Sequence, residues 1–143
     1  MHGSFRTDLK PICVSQPDGP SFTVDGHFIE WQKWSLSISF NAREGLVIHD
    51  VGYNDAGTVR PILFRGSLGE MTVPYGDPSS TQARKNAFDM GEYGLGCMAN
   101  SLTLGCDCLG HIKYFDADLA DGTGGVWTIE KAICLHEEDY GMD

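Results

Sequence analysis

The chain has 143 residues, 41% of them hydrophobic and 21% charged, which is the composition of one globular domain rather than of a disordered segment. Its 20 acidic and 10 basic residues give a net charge of −10, and the longest basic run is Arg84-Lys85, which argues against a nucleic-acid partner. The longest apolar runs are too short to cross a membrane, and residues 1–10 lack the apolar core of a signal peptide, so the compartment stays open.

The first half of the chain predicts an antiparallel meander. Residues 34–40 alternate apolar and polar side chains without a break, which is the pattern of a strand with one face on a core. A shorter strand at 22–24 runs into the Asp-Gly pair at 25–26, a strong hairpin signal. Residues 41–45 favour a turn that leads into another strand at 46–53.

Turn residues divide the middle of the chain. The Asn-Asp-Ala-Gly segment at 54–57 predicts the next reversal, and residues 58–73 predict one or two strands interrupted by Pro61 and Gly66. Pro, Gly, Asp and Ser then dominate residues 74–83, which predicts an irregular loop of the kind that carries functional sites.

The last third returns to strands. Residues 111–115 and 126–135 are rich in β-branched and aromatic residues, and the Gly-rich segment 121–125 connects them. No segment has a sustained helical period. We therefore predict an all-β chain of antiparallel strands, with one face of the sheet buried in a sandwich and no domain boundary within residues 1–143.

A candidate proton-abstracting site lies at residues 84–94. Asp89 stands there between Phe88 and Met90, whose apolar surfaces would disfavour its charge and increase its basicity. Three nearby glycines allow sharp turns or close approach to a ligand: Gly91, Gly94 and Gly96. The pattern alone is more typical of a turn in which Asp89 bonds its own backbone than of a catalytic site.

Cysteine occurs five times, an odd number that leaves at least one thiol free or paired outside the chain: Cys13, Cys97, Cys106, Cys108 and Cys134. Cys106 and Cys108, together with Cys134 and His136, suggest zinc ligands. The single residue between Cys106 and Cys108 argues against zinc, because structural sites usually have two to four there. The acidic run at 136–139 is interpreted as an acidic strand end rather than a metal cluster.

Four blocks in one order resemble the copper-containing quinone amine oxidases: V-P-Y-G-D-P at 73–78, R-K-N-A-F-D-M-G-E-Y-G at 84–94, L-G-C-D-C-L-G at 104–110 and H-E-E-D-Y-G at 136–141. The likeness begins near residue 16 and covers nearly the whole chain after the first dozen residues. It implies part of the large catalytic β-sandwich of a primary-amine oxidase, incomplete in this chain. The parent would use copper and topaquinone to convert primary amines and oxygen into aldehyde, ammonia and hydrogen peroxide, and would form a homodimer.

The resemblance also implies roles for three residues. Asp89 would be the general base that takes the α-proton of the substrate, and a carboxylate suits that task near neutral pH. Tyr75 would bond the quinone oxygen through its hydroxyl, although a Tyr packed at a strand end with a wet hydroxyl fits the same position. Ala87 would lie at the mouth of the substrate channel, or be a small residue in a tight loop. The acidic surface would attract ammonium substrates, or serve solubility alone.

The family pattern pairs Cys108 with Cys134 as a disulfide, which leaves Cys97 and Cys106 as small buried apolar residues. It places the quinone-forming tyrosine and the copper-binding histidines beyond the equivalent of Asp143. An Asn-Tyr pair is missing from this sequence, and no two of its histidines stand one residue apart. We therefore expect no metal ligands, no bound cofactor and no amine oxidation from this chain alone. The alternative is a non-catalytic β domain that acts as an interaction module.

Overall fold

The computed structural model describes residues 8–10, 12–139 and 141. Within them lie nine strands and one short helix, in the order β1 Phe22–Asp25, β2 Phe28–Trp31, β3 Trp34–Asn41, β4 Gly45–Asp55, β5 Thr58–Ser67, β6 Thr72–Pro74, β7 Asn86–Phe88, α1 Asp89–Tyr93, β8 Lys113–Ala120 and β9 Val126–Leu135. This content confirms the predicted all-β class. The helix α1 has five residues, and no helix in the described ranges is long and apolar enough to cross a membrane.

Strands β1 to β5 form one antiparallel sheet in sequence order, so the predicted meander is confirmed. Asp25 pairs with Phe28, so the first hairpin loop is Gly26-His27 and lies one residue later than predicted. Gly26 has φ 58°, as the first loop residue of a type II′ hairpin requires. The turn between β3 and β4 is closed by Asn41, whose Oδ1 accepts the backbone N–H groups of Arg43 and Glu44.

Strand β5 continues through Pro61 and Gly66, so the predicted interruption is wrong. Pro61 pairs with Gly52, next to the register shift that separates Val51 from Gly52 in β4. The strand lies at the edge of the sheet. Edge strands and bulges are the places where a strand accepts proline, because no ladder hydrogen bond from its nitrogen is needed there.

The hairpin β8–β9 covers the sheet and forms the core with it. One cluster joins Phe115 of β8 to Ile29 and Ile38 of the sheet. In β8 the buried residues Phe115, Ala117 and Leu119 alternate with exposed neighbours. The strand therefore runs well beyond the predicted end at residue 115, because the acidic residues between the buried ones face water. The predicted turn at 121–125 separates β8 from β9.

Strands β6 and β7 form a separate two-stranded ribbon, and α1 follows β7 directly. The predicted irregular loop lies between the two strands of this ribbon, apart from its first residue, Pro74, which ends β6. Asp89 begins α1, so the turn predicted after it is a single turn of helix. Met90 is 3% exposed and anchors this turn.

Candidate functional site

The β6–β7 ribbon brings the three predicted site residues into one segment of the fold. Val73 pairs with Ala87. The same register extends beyond the strands, because the N–H of Tyr75 donates to Lys85 O at 3.2 Å and the N–H of Asp89 donates to Met71 O at 3.2 Å. Directly opposed residues of an antiparallel pair point to the same side, and so do alternate residues along a strand.

In this register Tyr75 and Ala87 fall on one side of the ribbon, and Asp89 follows two residues after Ala87 as the first residue of α1. The levels of Tyr75 and Asp89 are four residues apart, about 13 Å along the ribbon. Lys85 Nζ lies 5.2 Å from the centroid of the Tyr75 ring, a cation–π contact. Tyr75 is 56% exposed, so its side chain is accessible from solvent.

Asp89 is held through its backbone, and its side chain is exposed. Within residues 8–10, 12–139 and 141, no hydrogen bond reaches its carboxylate. The apolar flank expected around it is only partly formed, because Met90 turns into the core while Phe88 is 49% exposed. A carboxylate without a competing partner is available to a ligand.

Glu70 contacts the two residues that follow Asp89, and sequence reasoning missed it. Its Oε1 accepts the backbone N–H groups of Met71 at 3.0 Å, Met90 at 3.1 Å and Gly91 at 3.2 Å. Desolvation raises the pKa of Glu70, but these three donors and the charge of Arg43 outweigh it and lower the pKa overall. No local motif signals the contact, because Met90 is 20 residues away in the sequence.

The glycines after α1 serve close packing of the chain on itself rather than approach of a ligand. A Cβ at Gly94 would lie 2.5 Å from Ala42 O, and a Cβ at Gly96 would overlap Asn41 O. The N–H of Leu95 donates to Arg43 O at 2.8 Å in the same contact. The segment that follows the site therefore rests on the β3–β4 turn.

That turn is braced by Glu44. Its carboxylate accepts hydrogen bonds from Arg65 Nη2 at 2.5 Å and Nη1 at 2.9 Å, from Ser67 Oγ at 2.6 Å and from Asn41 Nδ2 at 3.0 Å. The bonds from Arg65, then Ser67, then Asn41 lower the pKa of Glu44 to about 2. The charged hydrogen bonds of Glu44 thus join strand β5 to the β3–β4 turn, which the Gly94–Gly96 segment contacts.

Residues 23–143 match the family model of the copper amine oxidase enzyme domain. The chain belongs to the copper amine oxidase family. It is 59% identical over 137 residues to a primary amine oxidase of Arthrobacter sp. (strain P1), covering 96% of this chain and 21% of the relative. It is 59% identical over 141 residues to a peroxisomal copper-containing diamine oxidase of Nicotiana tabacum, covering 98% of this chain and 18% of the relative.

The solved structures agree with the sequence match. The crystal structure of a copper-containing benzylamine oxidase from Hansenula polymorpha aligns with a TM-score of 0.83 and 48% identity, covering 97% of this chain and 21% of that chain. The chain thus spans about one fifth of the length of the relatives it matches. The predicted family and its catalytic sandwich fold are confirmed.

Enzymes of the copper amine oxidase family use copper and topaquinone. The described part of this chain contains no group of three His, Cys, Asp or Glu side chains that could hold a metal ion. These residues therefore do not fit copper. Tyr75 is exposed, and a phenol hydroxyl is a hydrogen-bond donor of the kind that a quinone oxygen accepts.

A disulfide joins Cys108 to Cys134, the pair that the family pattern implies. It removes both thiols from any zinc site. Cys97 and Cys106 are exposed, so their predicted burial is wrong. Cys106 lies in a turn closed by its own N–H to Thr103 O, and turn residues face water.

Glu137 ties the end of β9 to the start of the chain. Its carboxylate accepts the N–H of Ser21 at 2.8 Å, Trp31 Nε1 at 2.8 Å and Gln16 Nε2 at 2.7 Å. These bonds, with Ser21 first, then Trp31 and Gln16, lower the pKa of Glu137 to about 2. The predicted acidic strand end, residues 136–139, begins directly after β9 ends at Leu135. Its role is structural, and we call the three hydrogen bonds of Glu137 the clasp.

Proposed function

We propose that this chain supplies the proton-abstracting part of a primary-amine oxidase. The overall reaction converts RCH2NH2, O2 and H2O into RCHO, NH3 and H2O2. The family match supports amine oxidation in general. The observation that carries the finer proposal is the ribbon register, which sets Tyr75 and Ala87 on one side and holds Asp89 two residues beyond Ala87 through its bond to Met71 O.

Asp89 is the base of this proposal. Its carboxylate takes the proton from the α-carbon of the amine, and topaquinone, when bound, supplies the acceptor for the two electrons. Such a base must reach the C–H within about 3 Å, with no competing bond. The backbone N–H of Asp89 is bound to Met71 O, and the exposed carboxylate has no competing bond among the described residues, so it meets the second condition.

Tyr75 and Ala87 orient and admit the ligand. The Tyr75 hydroxyl donates to a carbonyl-type oxygen, and the Lys85 ammonium over its ring restricts the ring's motion. Ala87 keeps the space between Tyr75 and Asp89 open, because its side chain is a single methyl group. The net charge of −10 attracts an ammonium substrate.

A second candidate function is an interaction module without activity. Exposed apolar side chains on β5 favour it, since Val59 is 62% and Phe64 81% exposed. Contiguous apolar surface of this kind marks contact with further polypeptide. Surface apolarity and catalysis are compatible, so activity decides between the two candidates.

A chimera tests the proposal. This chain replaces the matching stretch of the Arthrobacter enzyme, with which it is 59% identical over 137 residues. We expect peroxide release from methylamine, the amine in the name of a copper methylamine oxidase of Arthrobacter sp. (strain P1) that is also 59% identical to this chain. For Asp89→Asn we expect a loss of about a hundredfold to ten-thousandfold in kcat, because Asn keeps the shape but lacks the basic oxygen.

The matched control is Glu92→Gln, which removes the same charge from the same helix turn. It should retain the parental rate. An active chimera whose Asp89→Asn variant also works at that rate would eliminate Asp89 as the base. An intact but inactive chimera would favour the interaction module.

A further inference from the structure

We propose that Glu70 is the positioning residue for Asp89, acting through the backbone of α1. This inference rests on the proposed function, because it assigns Glu70 to the same proton transfer. Glu70 itself touches no reacting atom. Its effect on the reaction runs through the helix turn that carries Asp89.

The helix has no side-chain cap of its own. Its N-cap position is Phe88, which makes no side-chain hydrogen bond to the first turn. The first N–H groups of a helix have no intrahelical acceptor and need one from elsewhere. Glu70 supplies it from the segment between β5 and β6, since its Oε1 accepts from Met90 and Gly91.

Glu70 and Met71 hold Asp89 from two directions. Met71 O accepts the N–H of Asp89 itself, while Glu70 Oε1 accepts the N–H groups of the two following residues. The N–H of Met71 also donates to Glu70, which fixes that carboxylate relative to its own backbone. Three consecutive amides, from Asp89 to Gly91, are thus bound by one dipeptide.

The residue at position 91 fits this arrangement. A Cβ there would lie 2.6 Å from Glu70 Oε2, so a side chain at this position would push the carboxylate away. Gly91 has an ordinary helical backbone rather than a positive φ. Its lack of a side chain is therefore explained by the space that the Glu70 carboxylate occupies.

The charge of Glu70 matters as well as its shape. An ionised carboxylate is a stronger acceptor of backbone N–H groups than a neutral amide oxygen. A helix of five residues is unstable by itself, so loss of the cap should fray the turn. Asp89 would then sample more positions, which slows proton transfer but leaves substrate binding intact.

The test uses the same chimera with Glu70→Ala and Glu70→Gln, and Glu92→Gln as the control. We expect Glu70→Ala to lower kcat by about tenfold to a hundredfold with little change in KM. The kcat of Glu70→Gln should lie between that of Glu70→Ala and that of the parent. The Gln variant preserves shape and one acceptor oxygen, so it carries the test if the Ala variant does not fold. A parental kcat in the folded Glu70 variants would overturn the positioning role.

A double-mutant cycle separates positioning from general stability. If Glu70 acts through Asp89, Glu70→Ala should cost nothing further once Asp89→Asn is present. If the loss of kcat in the double variant equals the product of the two single losses, the inference is overturned and the proposed function is left standing. An Asp89→Asn variant at the parental rate would instead overturn the proposed function itself.

Amide hydrogen exchange gives a readout independent of activity. In Glu70→Ala, a peptide covering residues 88–94 should exchange faster than in the parent, while Glu92→Gln should leave that peptide unchanged. Equal protection of this peptide in the parent and in Glu70→Ala would contradict the cap, whatever the kinetics show.

Discussion

Glu44 and Glu137 show how single carboxylates organise this chain. Each accepts hydrogen bonds from three other residues, and each has its pKa lowered from 4.5 to about 2. Glu44 braces the turn beneath the Gly94–Gly96 segment, and Glu137 clasps the start of the chain to the end of β9. Both depend on being ionised, because a protonated carboxyl accepts these bonds less well.

Acid should weaken this clasp in a defined pH range. The unfolded chain takes up a proton at Glu137 near pH 4.5 and the folded chain only near pH 2, so stability from Glu137 is complete above about 4.5 and falls as the pH drops toward 2. Glu137→Gln should flatten this part of the pH dependence, measured by urea unfolding at successive pH values. Glu130→Gln, at an exposed position of β9, is the control, and identical pH slopes for both variants would contradict the clasp.

Sequence reasoning found Asp89 but missed Glu70, and the difference is physical. Asp89 belongs to a continuous string whose pattern resembles the family. Glu70 acts on amides 20 and 21 residues away, and only the folded ribbon brings them together. Likewise, the acidic run containing Glu137 gave no sign that its partners would be Ser21 and Trp31.

At the scale of elements, the alternation of apolar and polar residues predicted the strands well, whereas predictions based on turn residues placed some strand ends wrongly. Strand β3 was predicted within one residue at its end because its apolar positions alternate without a break. Strand β5 was predicted to be interrupted at Pro61, which the edge position and the neighbouring bulge accommodate. Whether a strand lies at an edge is a property of the sheet, which a local pattern does not contain.

The contact after α1 predicts a severe effect for one glycine. In Gly96→Ala the new methyl group would overlap Asn41 O, so the backbone must shift, at a cost of about 1–3 kcal/mol in the free energy of unfolding. Gly122→Ala is the matched control, because a Cβ there meets nothing within 4 Å. Chemical unfolding of both variants tests this, and equal midpoints would show that the approach is not tight.

The disulfide should form and stabilise under oxidising conditions. It closes a separation of 26 residues, which stabilises by about 3 kcal/mol in the chain-entropy description. Peptide mapping without reduction should recover Cys108 and Cys134 as one linked pair, with the exposed Cys106 alkylated as the internal control. Recovery of both as alkylated thiols from folded, oxidised protein would count against the link.

On the scale of the whole molecule, the sheet and the β8–β9 hairpin bury two apolar clusters, while β5 presents apolar side chains to solvent. The ribbon that carries Tyr75, Ala87 and Asp89 lies outside these two layers as a separate pair of strands. The fold class followed from strand patterning, but the functional assignment required the resemblance, because an exposed Asp at a helix start is chemically ordinary. The function proposed for this chain therefore depends on proton transfer by Asp89.

Anaerobic stopped-flow mixing of the chimera with methylamine tests that claim most directly. It observes reduction of the quinone by the amine separately from reoxidation by oxygen. For Asp89→Asn we predict reduction slowed by about a hundredfold to ten-thousandfold, with reoxidation of the reduced enzyme at the parental rate. Reduction of the Asp89→Asn quinone at the parental rate would contradict the account.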